Sequence, residues 1–379
     1  TLLVNGNAEF SDQSSLTMSD SKVDVIDGSF STSDTSDITL LSTPLYVEGS
    51  VILSGSTHEF TNSSIDVNTG SVPGLFEANL FADVTATNTP ITVNGGNMQF
   101  NNNTYLLASD SNLVINNGSV VFSNKSELEF SLSTSLTVNN GNFDLRDNAE
   151  FIAGSTSIDI IGGDFRVFDD VNLNLDTIDM FVGGNAEFTG QSKFTLSNSQ
   201  VEVENGKFST SDIVDLSFSQ TGLVVNGSVI LDGSTHKFEQ SSIDVVSGVL
   251  QANFDSIVDA LNSSVTVNGG NIEFTTTSSL NADESTIEVN TGSVSFTNSS
   301  TVDFASNTQL TINDGDFQLL NSAEFTAQSS NIDVLDGSFS TSDTSKATLL
   351  STSLYVEGSV ILSGSTHEFT NSSINVNTG

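Results

Sequence analysis

The sequence predicts an all-β fold, a single three-sided parallel β-solenoid of about 17 coils with 21–23 residues in each. Three observations predict it. Glycine returns at a near-constant interval, short alternating apolar runs fall between the glycines, and long stretches of the chain repeat. The preference of parallel crossovers for one hand, together with analogy to other β-helices, favours a right-handed solenoid.

One coil shows the pattern clearly. Residues 49–70 read GSVILSG, STHEFTN and SSIDVNT before a glycine, and close variants of this stretch return at 227–248 and 358–379. Each group of seven contains a short alternation of apolar and polar residues and then small polar residues. Alternation is typical of a strand with one buried face, and clusters of Ser, Asn and Gly are typical of turns. Three strands and three corners therefore make one coil.

Glycine marks the corner after the third strand of each coil. Fourteen of the 17 intervals in the series are 21 or 22 residues long, two are 23 and one is 26. Corner sequences such as NG, DG and GG supply residues that tolerate positive φ. The series is Gly6, Gly28, Gly49, Gly70, Gly96, Gly118, Gly141, Gly163, Gly184, Gly206, Gly227, Gly248, Gly270, Gly292, Gly315, Gly337, Gly358 and Gly379.

The first strand of each coil follows a volume rule. The second and fourth residues after the glycine are expected to point inward, and no such pair contains two phenylalanines. Val120 is paired with Phe122 in one coil, and Phe143 with Leu145 in the next. A solenoid of near-constant cross-section must fill each coil to a similar volume, so this complementarity indicates a shared core.

The three histidines occupy one equivalent position. His58, His236 and His367 each stand in a G-S-T-H-x-F sequence, where other coils place Leu128 or Ala149. They are therefore expected to point inward. A proton or metal site is one interpretation. We favour a buried, hydrogen-bonded structural histidine, because the three lie many coils apart and have no neighbouring ligands.

The longest glycine interval departs from the rule. Between Gly70 and Gly96 the chain is about four residues longer than the mean, and Pro73 is followed by a glycine and several large apolar residues. This pattern predicts a loop insertion at about 73–82. Such a loop is either a contact patch or a segment that folds its own phenylalanines back onto the solenoid.

A longer repeat overlies the coils. Residues 27–70 match 336–379 at 40 of 44 positions, an offset of 309 residues or 14 coils. We expect one continuous solenoid over residues 1–379, with this 309-residue unit restarting near residue 310. A solenoid end exposes unpaired backbone and core. Adjoining repeats of the same polypeptide, or copies of the chain, are therefore expected to stack end to end.

Composition restricts the partners. The chain has 47 Asp and Glu against 8 Lys and Arg, a formal net charge of −39. Phosphates and anionic surfaces would be repelled, so we expect no nucleic acid partner. No apolar run approaches a membrane span, so we expect no membrane insertion of this segment. Cations and glycans are the compatible partners, although the charge can also simply keep the protein soluble. Cysteine is absent, which excludes disulfides and thiolate metal sites.

Acidic residues recur at the outward centre of the third strand. Where neighbouring coils both carry one, their carboxylates are expected to stack about 5 Å apart, as for Asp159, Asp179 and Glu202. Ca²⁺ takes oxygen ligands and would relieve this repulsion. These three residues form the candidate calcium stripe, and a solvated acidic face is the alternative. No other cofactor is expected.

Catalysis is not expected. Glycosidic chemistry needs an acid and a base held in a cleft, and lyase chemistry on acidic sugars needs basic groups. Here Arg146, Arg166 and six lysines are scattered along the chain. A flat threonine ladder for binding ice is interrupted by other residues. Outward Tyr46 and Tyr355 instead leave glycan binding open.

The repeats resemble those of secreted parallel β-helix adhesins. FTNSS recurs at 60–64, 296–300 and 369–373, and GGN at 95–97 and 269–271. Polymorphic outer-membrane proteins and filamentous haemagglutinin-like passengers are similar in style, although their GGA[ILV] motif is missing because Asn or Asp follows GG. The resemblance implies an extracellular, cell-surface structural protein: a fibre, a sheath or an adhesin stalk. A surface-binding module for glycans, cations or a crystal surface is the alternative, and a polysaccharide-active enzyme comes third.

Overall fold

The computed structural model describes residues 1–377, and these form β-strands joined by turns and short connections. The fold is a parallel β-solenoid of about 17 turns, which confirms the predicted fold class. Gly379, the last glycine of the predicted series, lies outside the described residues. Within residues 1–377 there is no helix long and apolar enough to cross a membrane.

The chain forms two compact units, residues 1–185 and the part that begins at Ala186. The strands of the first unit are β1 (Leu2–Asn5), β2 (Ala8–Phe10), β3 (Ser15–Ser19), β4 (Val23–Thr32), β5 (Asp37–Leu41), β6 (Leu45–Ser54), β7 (Thr57–Thr61), β8 (Ile65–Asn68), β9 (Leu75–Asn79), β10 (Asp83–Thr87), β11 (Ile91–Asn94), β12 (Asn97–Phe100), β13 (Tyr105–Ser109), β14 (Asn112–Asn116), β15 (Val120–Phe122), β16 (Glu127–Ser131), β17 (Ser135–Val138), β18 (Phe143–Leu145), β19 (Glu150–Ile160), β20 (Phe165–Val167) and β21 (Asn172–Val182).

The second unit continues the numbering. Its described strands are β22 (Ala186–Phe188), β23 (Lys193–Ser197), β24 (Gln200–Val203), β25 (Phe208–Thr210), β26 (Asp215–Ser219), β27 (Gly222–Val225), β28 (Val229–Asp232), β29 (Thr235–Glu239), β30 (Ser242–Val245), β31 (Leu250–Asn253), β32 (Ile257–Leu261), β33 (Ser264–Val267), β34 (Ile272–Phe274), β35 (Ser279–Asp283), β36 (Thr286–Val289), β37 (Val294–Phe296), β38 (Thr301–Phe304), β39 (Gln309–Ile312), β40 (Phe317–Leu319), β41 (Glu324–Gln328), β42 (Asn331–Thr341), β43 (Lys346–Leu350), β44 (Ser353–Leu362), β45 (Glu368–Thr370) and β46 (Ser373–Asn377).

Each coil contributes one strand to each of three walls. We call them the first, second and third walls, in chain order after the corner glycine. β15, β16 and β17 make up one coil; β15 pairs in parallel with β18, and both β16 and β17 pair with β19 of the next coil. Long strands such as β19 therefore carry the chain past a corner from one wall to another. The backbone ladder between coils satisfies the hydrogen-bonding groups of every short strand.

The predicted inward positions of the first wall are confirmed. Val120, Phe122, Phe143 and Leu145 are each at most 1% exposed. The register places Val120 opposite Phe143 and Phe122 opposite Leu145, so a large side chain faces a smaller one in the neighbouring coil. The rings of Phe122 and Phe143 still meet edge to face, with centroids 6.2 Å apart. This interleaving fills the core at close packing.

One predicted position on the second wall is wrong. The register sets Leu128 opposite Phe151 and Phe130 opposite Ala153, so Ala149 lies outside the ladder. Ala149 is buried at the corner before β19, where its N–H donates to the carbonyl of Arg146. The sequence misplaced it because Ala149 and Phe151 show the same alternate spacing as the true inward pair.

The corner glycines stack directly on one another. A Cβ built on Gly118 would lie 1.7 Å from the carbonyl oxygen of Gly96, and one on Gly141 would lie 2.1 Å from that of Gly118. In the second unit a Cβ on Gly292 would lie 2.1 Å from the carbonyl oxygen of Gly270. No side chain fits at such distances unless the coils move apart. Close approach of two backbones is therefore the reason for glycine here.

The loop predicted at 73–82 is wrong. Leu75–Asn79 is strand β9, and it pairs with the second half of β6 on one side and with β12 on the other. Phe76 and Ala78 are fully buried in the first wall. The sequence misled because Pro73-Gly74 indicates a turn, whereas the alternation after it belongs to an ordinary inward pair.

The extra residues of this coil lie in the corner. Gly74, not Gly70, holds the stacking position, since a Cβ on Gly96 would lie 1.3 Å from the carbonyl oxygen of Gly74. Residues 70–73 are exposed and precede the wall. The strands on either side keep their register, so the corner absorbs the insertion.

A buried hydroxyl occupies the corner between the second and third walls in most coils. The Thr89 hydroxyl lies 2.9 Å from the carbonyl oxygen of Thr87 and 3.0 Å from that of Phe60, and it accepts a hydrogen bond from the N–H of Ser63. Each hydroxyl thus satisfies backbone groups that the turn leaves out of the ladder. The buried members are Thr43, Ser63, Thr89, Ser111, Thr134 and Thr156 in the first unit and Ser199, Thr221, Ser241, Ser263, Ser285, Thr308, Ser330 and Thr352 in the second.

Asparagine side chains form a ladder of their own after the third wall. The amide of Asn94 donates to Asn68 at 2.8 Å, that of Asn116 donates to Asn94 at 2.8 Å, and that of Asn139 donates to Asn116 at 2.5 Å. Identical amides can repeat this bond because successive coils are in register. The ladder therefore disfavours a slip of one coil against the next.

Replacing Leu145 by phenylalanine tests the volume rule. Leu145 is fully buried opposite Phe122, so the larger ring should overpack the coil and lower the free energy of unfolding by about 1–3 kcal/mol. Val121→Phe is the control, because Val121 lies between two inward residues and faces outward. Urea unfolding of both variants measures the difference. Equal stability of Leu145→Phe and the native protein would contradict the packing described here.

Replacing Gly118 by alanine tests the glycine stack. Since the new methyl group would overlap the Gly96 carbonyl, we expect a loss of at least about 3 kcal/mol in unfolding free energy or failure to fold. Gly154→Ala is the matched control in the same unit, because its Cβ would meet nothing nearer than 3.9 Å. Thermal unfolding followed by circular dichroism separates the two. A Gly118 variant as stable as the Gly154 variant would show that close approach is not the constraint.

Candidate functional site

The candidate calcium residues lie on the third wall, but the register differs from the expected stack. Asp159 is opposite Phe181 in the next coil, and Asp179 is opposite Ser157 in the previous one. Phe181, partly exposed, therefore holds the outward centre that the sequence assigned to Asp179. β21 carries a full inward set at Ile178, Met180 and Val182, which shifts Asp179 two residues along the strand. The two carboxylates are diagonal neighbours rather than directly opposed.

Glu202 lies in the second unit, in β24, opposite Val224 of the next coil. Burial raises the pKa of Asp159, and the nearby Asp179 carboxylate raises it further. Among residues 1–377 no group of three or more His, Asp and Glu side chains is arranged to hold a metal ion. Calcium binding at Asp159, Asp179 and Glu202 stays a prediction, and Asp159 with Asp179 is the part of it that one unit contains.

Tyrosines stand between carboxylates on the outer walls. Tyr46 is half-buried with Asp24 and Asp66 in register on either side, and its hydroxyl donates to Glu48 at 2.9 Å. The hydrogen bond to Glu48, more than burial, raises the pKa of Tyr46. The aromatic ring and the acceptor groups around it could contact a sugar or a cation. Asp24 is already paired, since the ammonium group of Lys22 lies 2.9 Å away.

The same arrangement occurs on the second wall at Tyr105. Its register neighbours are Asp83 and Glu127, and its hydroxyl donates to Glu129 at 2.5 Å. Burial raises the pKa of Glu127, and the carboxylates of Glu150 and Glu129 raise it further. Three carboxylates on two neighbouring strands thus share a wall, which sequence reasoning missed because it followed the third strand only.

A single close ion pair lies on the first wall of the first unit. Arg166 donates from Nε and Nη2 to the two carboxylate oxygens of Asp144, both at 2.8 Å, and Asp144 is only 8% exposed. A fork-shaped guanidinium matches a carboxylate in this way. The pair neutralises a carboxylate that its position would otherwise desolvate, so its role is structural. This finding agrees with the expectation that the basic residues do not form a site for acidic sugars.

The largest groove follows the corner between the second and third walls in the second unit. It has a volume of about 550 Å³ and is lined by hydroxyl and amide side chains, among them Gln220, Gln240 and Asn262, with Glu284 as its carboxylate. Gln220 donates to Gln240 at 3.0 Å along the rim. Such a lining can hydrogen bond to a neutral polar ligand. Acid–base cleavage of glycosides uses two carboxylates, and the lining of this groove supplies one.

Interrupted threonines on the third wall agree with the sequence. Thr92 and Thr137 are separated in the ladder by Val114. Thr266 and Thr311 are separated by Glu288. No continuous threonine row arises at these positions.

His58 and His236 are fully buried, as the sequence predicted. Nε2 of His58 lies 3.4 Å from the Thr32 hydroxyl, and Nε2 of His236 lies 3.5 Å from that of Thr210. The Nδ1 atom of each ring has no hydrogen-bond partner in the described structure. In His367 the ring is partly exposed, and Nδ1 accepts from the N–H of Ala347 at 3.2 Å. The predicted hydrogen-bonded histidine is therefore correct for one nitrogen of the buried rings.

Taken with the coil geometry, these surfaces define a repeat protein of the parallel β-solenoid class, with acidic outer walls and an apolar core. Within that class, residues 1–379 match the family model described as the B component of the discoidin-inducing complex, and the chain belongs to this family. Comparison with curated proteins gives no match, and comparison with solved structures gives none. The similarity to secreted adhesins rests on the repeats alone.

Calcium should stabilise the protein if Asp159 and Asp179 share an ion. Millimolar Ca²⁺ is then expected to raise the free energy of unfolding by about 1–3 kcal/mol and EDTA to reverse the gain. Thermal unfolding and calorimetry measure the effect, with Mg²⁺ as the comparison ion. The control is the Asp159→Asn, Asp179→Asn double variant, which should lose the response. No heat of binding and no thermal shift would leave a solvated acidic face.

Proposed function

We propose that this chain is a non-catalytic structural protein, a β-solenoid scaffold within an extracellular assembly. The observation that carries the proposal is that coils of one kind account for the described chain of each unit. Walls of this type offer long, regular surfaces and ladders, which suit the display or joining of other proteins. The family description, which names a component of a complex, supports a role inside a larger assembly.

An extracellular location is part of the proposal. It is supported by the similarity of the repeats to secreted β-helix adhesins, and the absence of cysteine does not oppose it. A fibre, sheath or stalk would use the solenoid mechanically. The high negative charge would keep neighbouring copies apart unless a cation or a specific contact joins them. Contacts with other proteins of the assembly, or with copies of the chain, are then expected at limited surfaces.

The second candidate function is surface binding of glycans or cations. The observation that favours it is the repeated arrangement of tyrosine between carboxylates. Tyr46, Tyr105 and Tyr355 each donate a hydrogen bond to a glutamate and remain on an outer wall. Aromatic rings with polar neighbours bind sugars and organic cations well. This function is compatible with a scaffold that presents such surfaces.

Fractionation of the natural protein tests the scaffold proposal. The protein is isolated from the producing cells and from their medium, then separated by size with light scattering. We expect it in the medium, in an assembly heavier than one chain. Protein that stays inside cells would contradict the extracellular location, and a lone monomer at high concentration would contradict the assembly. Retention of the monomer on immobilised glycans would favour the binding function, and turnover of acidic polysaccharides would overturn the non-catalytic assignment.

A further inference from the structure

His58 and His236 occupy equivalent places in the two units and share an unusual environment. Each imidazole is fully buried on the second wall and faces the core. His58 lies in the ladder between Ile38 and Val84, and His236 lies between Leu216 and Val258. Aliphatic side chains thus hold the same position in neighbouring coils.

The aliphatic neighbours show what the position requires. Continuing along the ladder from Val84, the next coils carry Leu106 and Leu128 at the same place. A side chain of leucine or valine therefore fills this part of the core without a polar group. Histidine adds one property that these residues lack, the ability to take up a proton near neutral pH.

The buried site has room for only one N–H donor from each ring. The Thr32 hydroxyl, near Nε2 of His58, also accepts the N–H of Ser54 and lies 3.5 Å from the Ser54 carbonyl oxygen. Nδ1 has no partner in the described structure. A protonated imidazole donates from both nitrogens, so the proton on Nδ1 would meet no acceptor. A buried, unsatisfied charged donor is strongly unfavourable.

We propose that His58 and His236 act as acid-sensitive joints, whose protonation opens the coils that contain them. The proton enters when the coil opens locally and the ring reaches water. It then holds the coil open, because the charged ring cannot return to its site. Acidification would therefore loosen the solenoid at one chosen coil in each unit and leave the other coils closed. This device is independent of the proposed extracellular role.

The charged groups around His58 do not remove this effect. Asp37, on the preceding strand β5, faces the ring closely enough to favour the charged form, but it is exposed and accepts hydrogen bonds from Ser56 and Thr57. Asp83 on β10 and Glu59 on β7 itself are outward positions. Toward the core, Thr32 and the backbone of Ser54 are neutral.

His236 has the same surroundings with different residues. Asp215, on β26, favours the charged form and accepts from the Ser234 hydroxyl at 2.7 Å. Lys237 and Glu239 on the same strand are exposed, and Asp259 on β32 is partly exposed. Asp232, also partly exposed, accepts from the Asn253 amide.

Burial outweighs these carboxylates in both cases. It lowers the pKa of His58 from 6.5 to about 4, and that of His236 equally to about 4. Between those values the open coil binds a proton that the closed coil does not, so acid favours the open form. The closed form is fully favoured above pH 6.5, and the loss saturates below about pH 4. At pH 5 the opening equilibrium should have shifted by about 30-fold for each histidine.

The test compares the full-length chain with the His58→Leu, His236→Leu double variant, in which leucine reproduces the side chain of neighbouring coils. Hydrogen exchange of the backbone amides in β7 and β29 is followed from pH 8 to pH 4.5, after correction for the intrinsic pH dependence of exchange. We expect the native chain to open these strands about 30-fold more often at pH 5 than at pH 8, relative to the variant. Both proteins should behave alike at pH 8. The carboxylates are the same in both, so their titration cancels.

Direct titration of the imidazoles gives an independent readout that needs no variant. The ring C–H signals in the nuclear magnetic resonance spectrum should report two histidines that do not become charged in the closed state above about pH 5. Folded-state titration of His58 and His236 near pH 6.5 would overturn the proposal. So would equal pH profiles of exchange in the native chain and the double variant. If the double variant does not fold, the ring titration of the native chain still decides.

Discussion

Contact between the backbones of successive corner glycines is the constraint on which the rest of the fold depends. The alpha carbon of Gly118 lies so close to the Gly96 carbonyl that no methyl group fits between them. That approach sets the same starting point for each coil, and the first wall begins immediately after it. Once the starting point is common, short strands of three to five residues can pair in register with their neighbours. The volume rule follows, because inward side chains then meet the same side-chain sites in every coil.

The corner hydroxyls extend the same logic to the opposite side of the coil. A strand of four residues cannot satisfy the backbone groups of the turn that precedes it, and buried unpaired groups are costly. Ser63 and Thr89 supply the missing donor and acceptors in successive coils, each touching the backbone of the coil before it. Two corners thus hold the coil by different means, one through the absence of a side chain and the other through a short polar one.

The sequence predicted the walls better than it predicted the corners. Inward pairs such as Phe143 and Leu145 are readable because alternation and core packing leave a strong signal in the residue types. Gly70 was mistaken for the stacking glycine because spacing along the chain does not reveal which glycine touches the coil below. Asp179 was misplaced for a similar reason: β21 crosses a corner, so counting residues from the previous coil gave the wrong register.

The candidate surfaces were harder to predict than the fold. The tyrosine at position 105 lies beside carboxylates that come from strands more than twenty residues away, so no local motif marks it. The buried hydroxyls were invisible for another reason, since serine and threonine are common in every turn of this chain. The environment of His58 was predicted in part: its inward direction follows from alternation, whereas the unpartnered Nδ1 depends on which groups the neighbouring coils bring to it.

The corner at residues 70–73 has a consequence for how such a chain can change in length. One residue added inside a wall would turn every following side chain of that strand to the other face. Additional residues at this corner, in contrast, leave β8 and β9 aligned with the strands on both sides. The chain can therefore grow in two ways, by whole coils or by short segments at corners. Foreign sequence such as an epitope can enter at 70–73 while the surrounding ladder is kept.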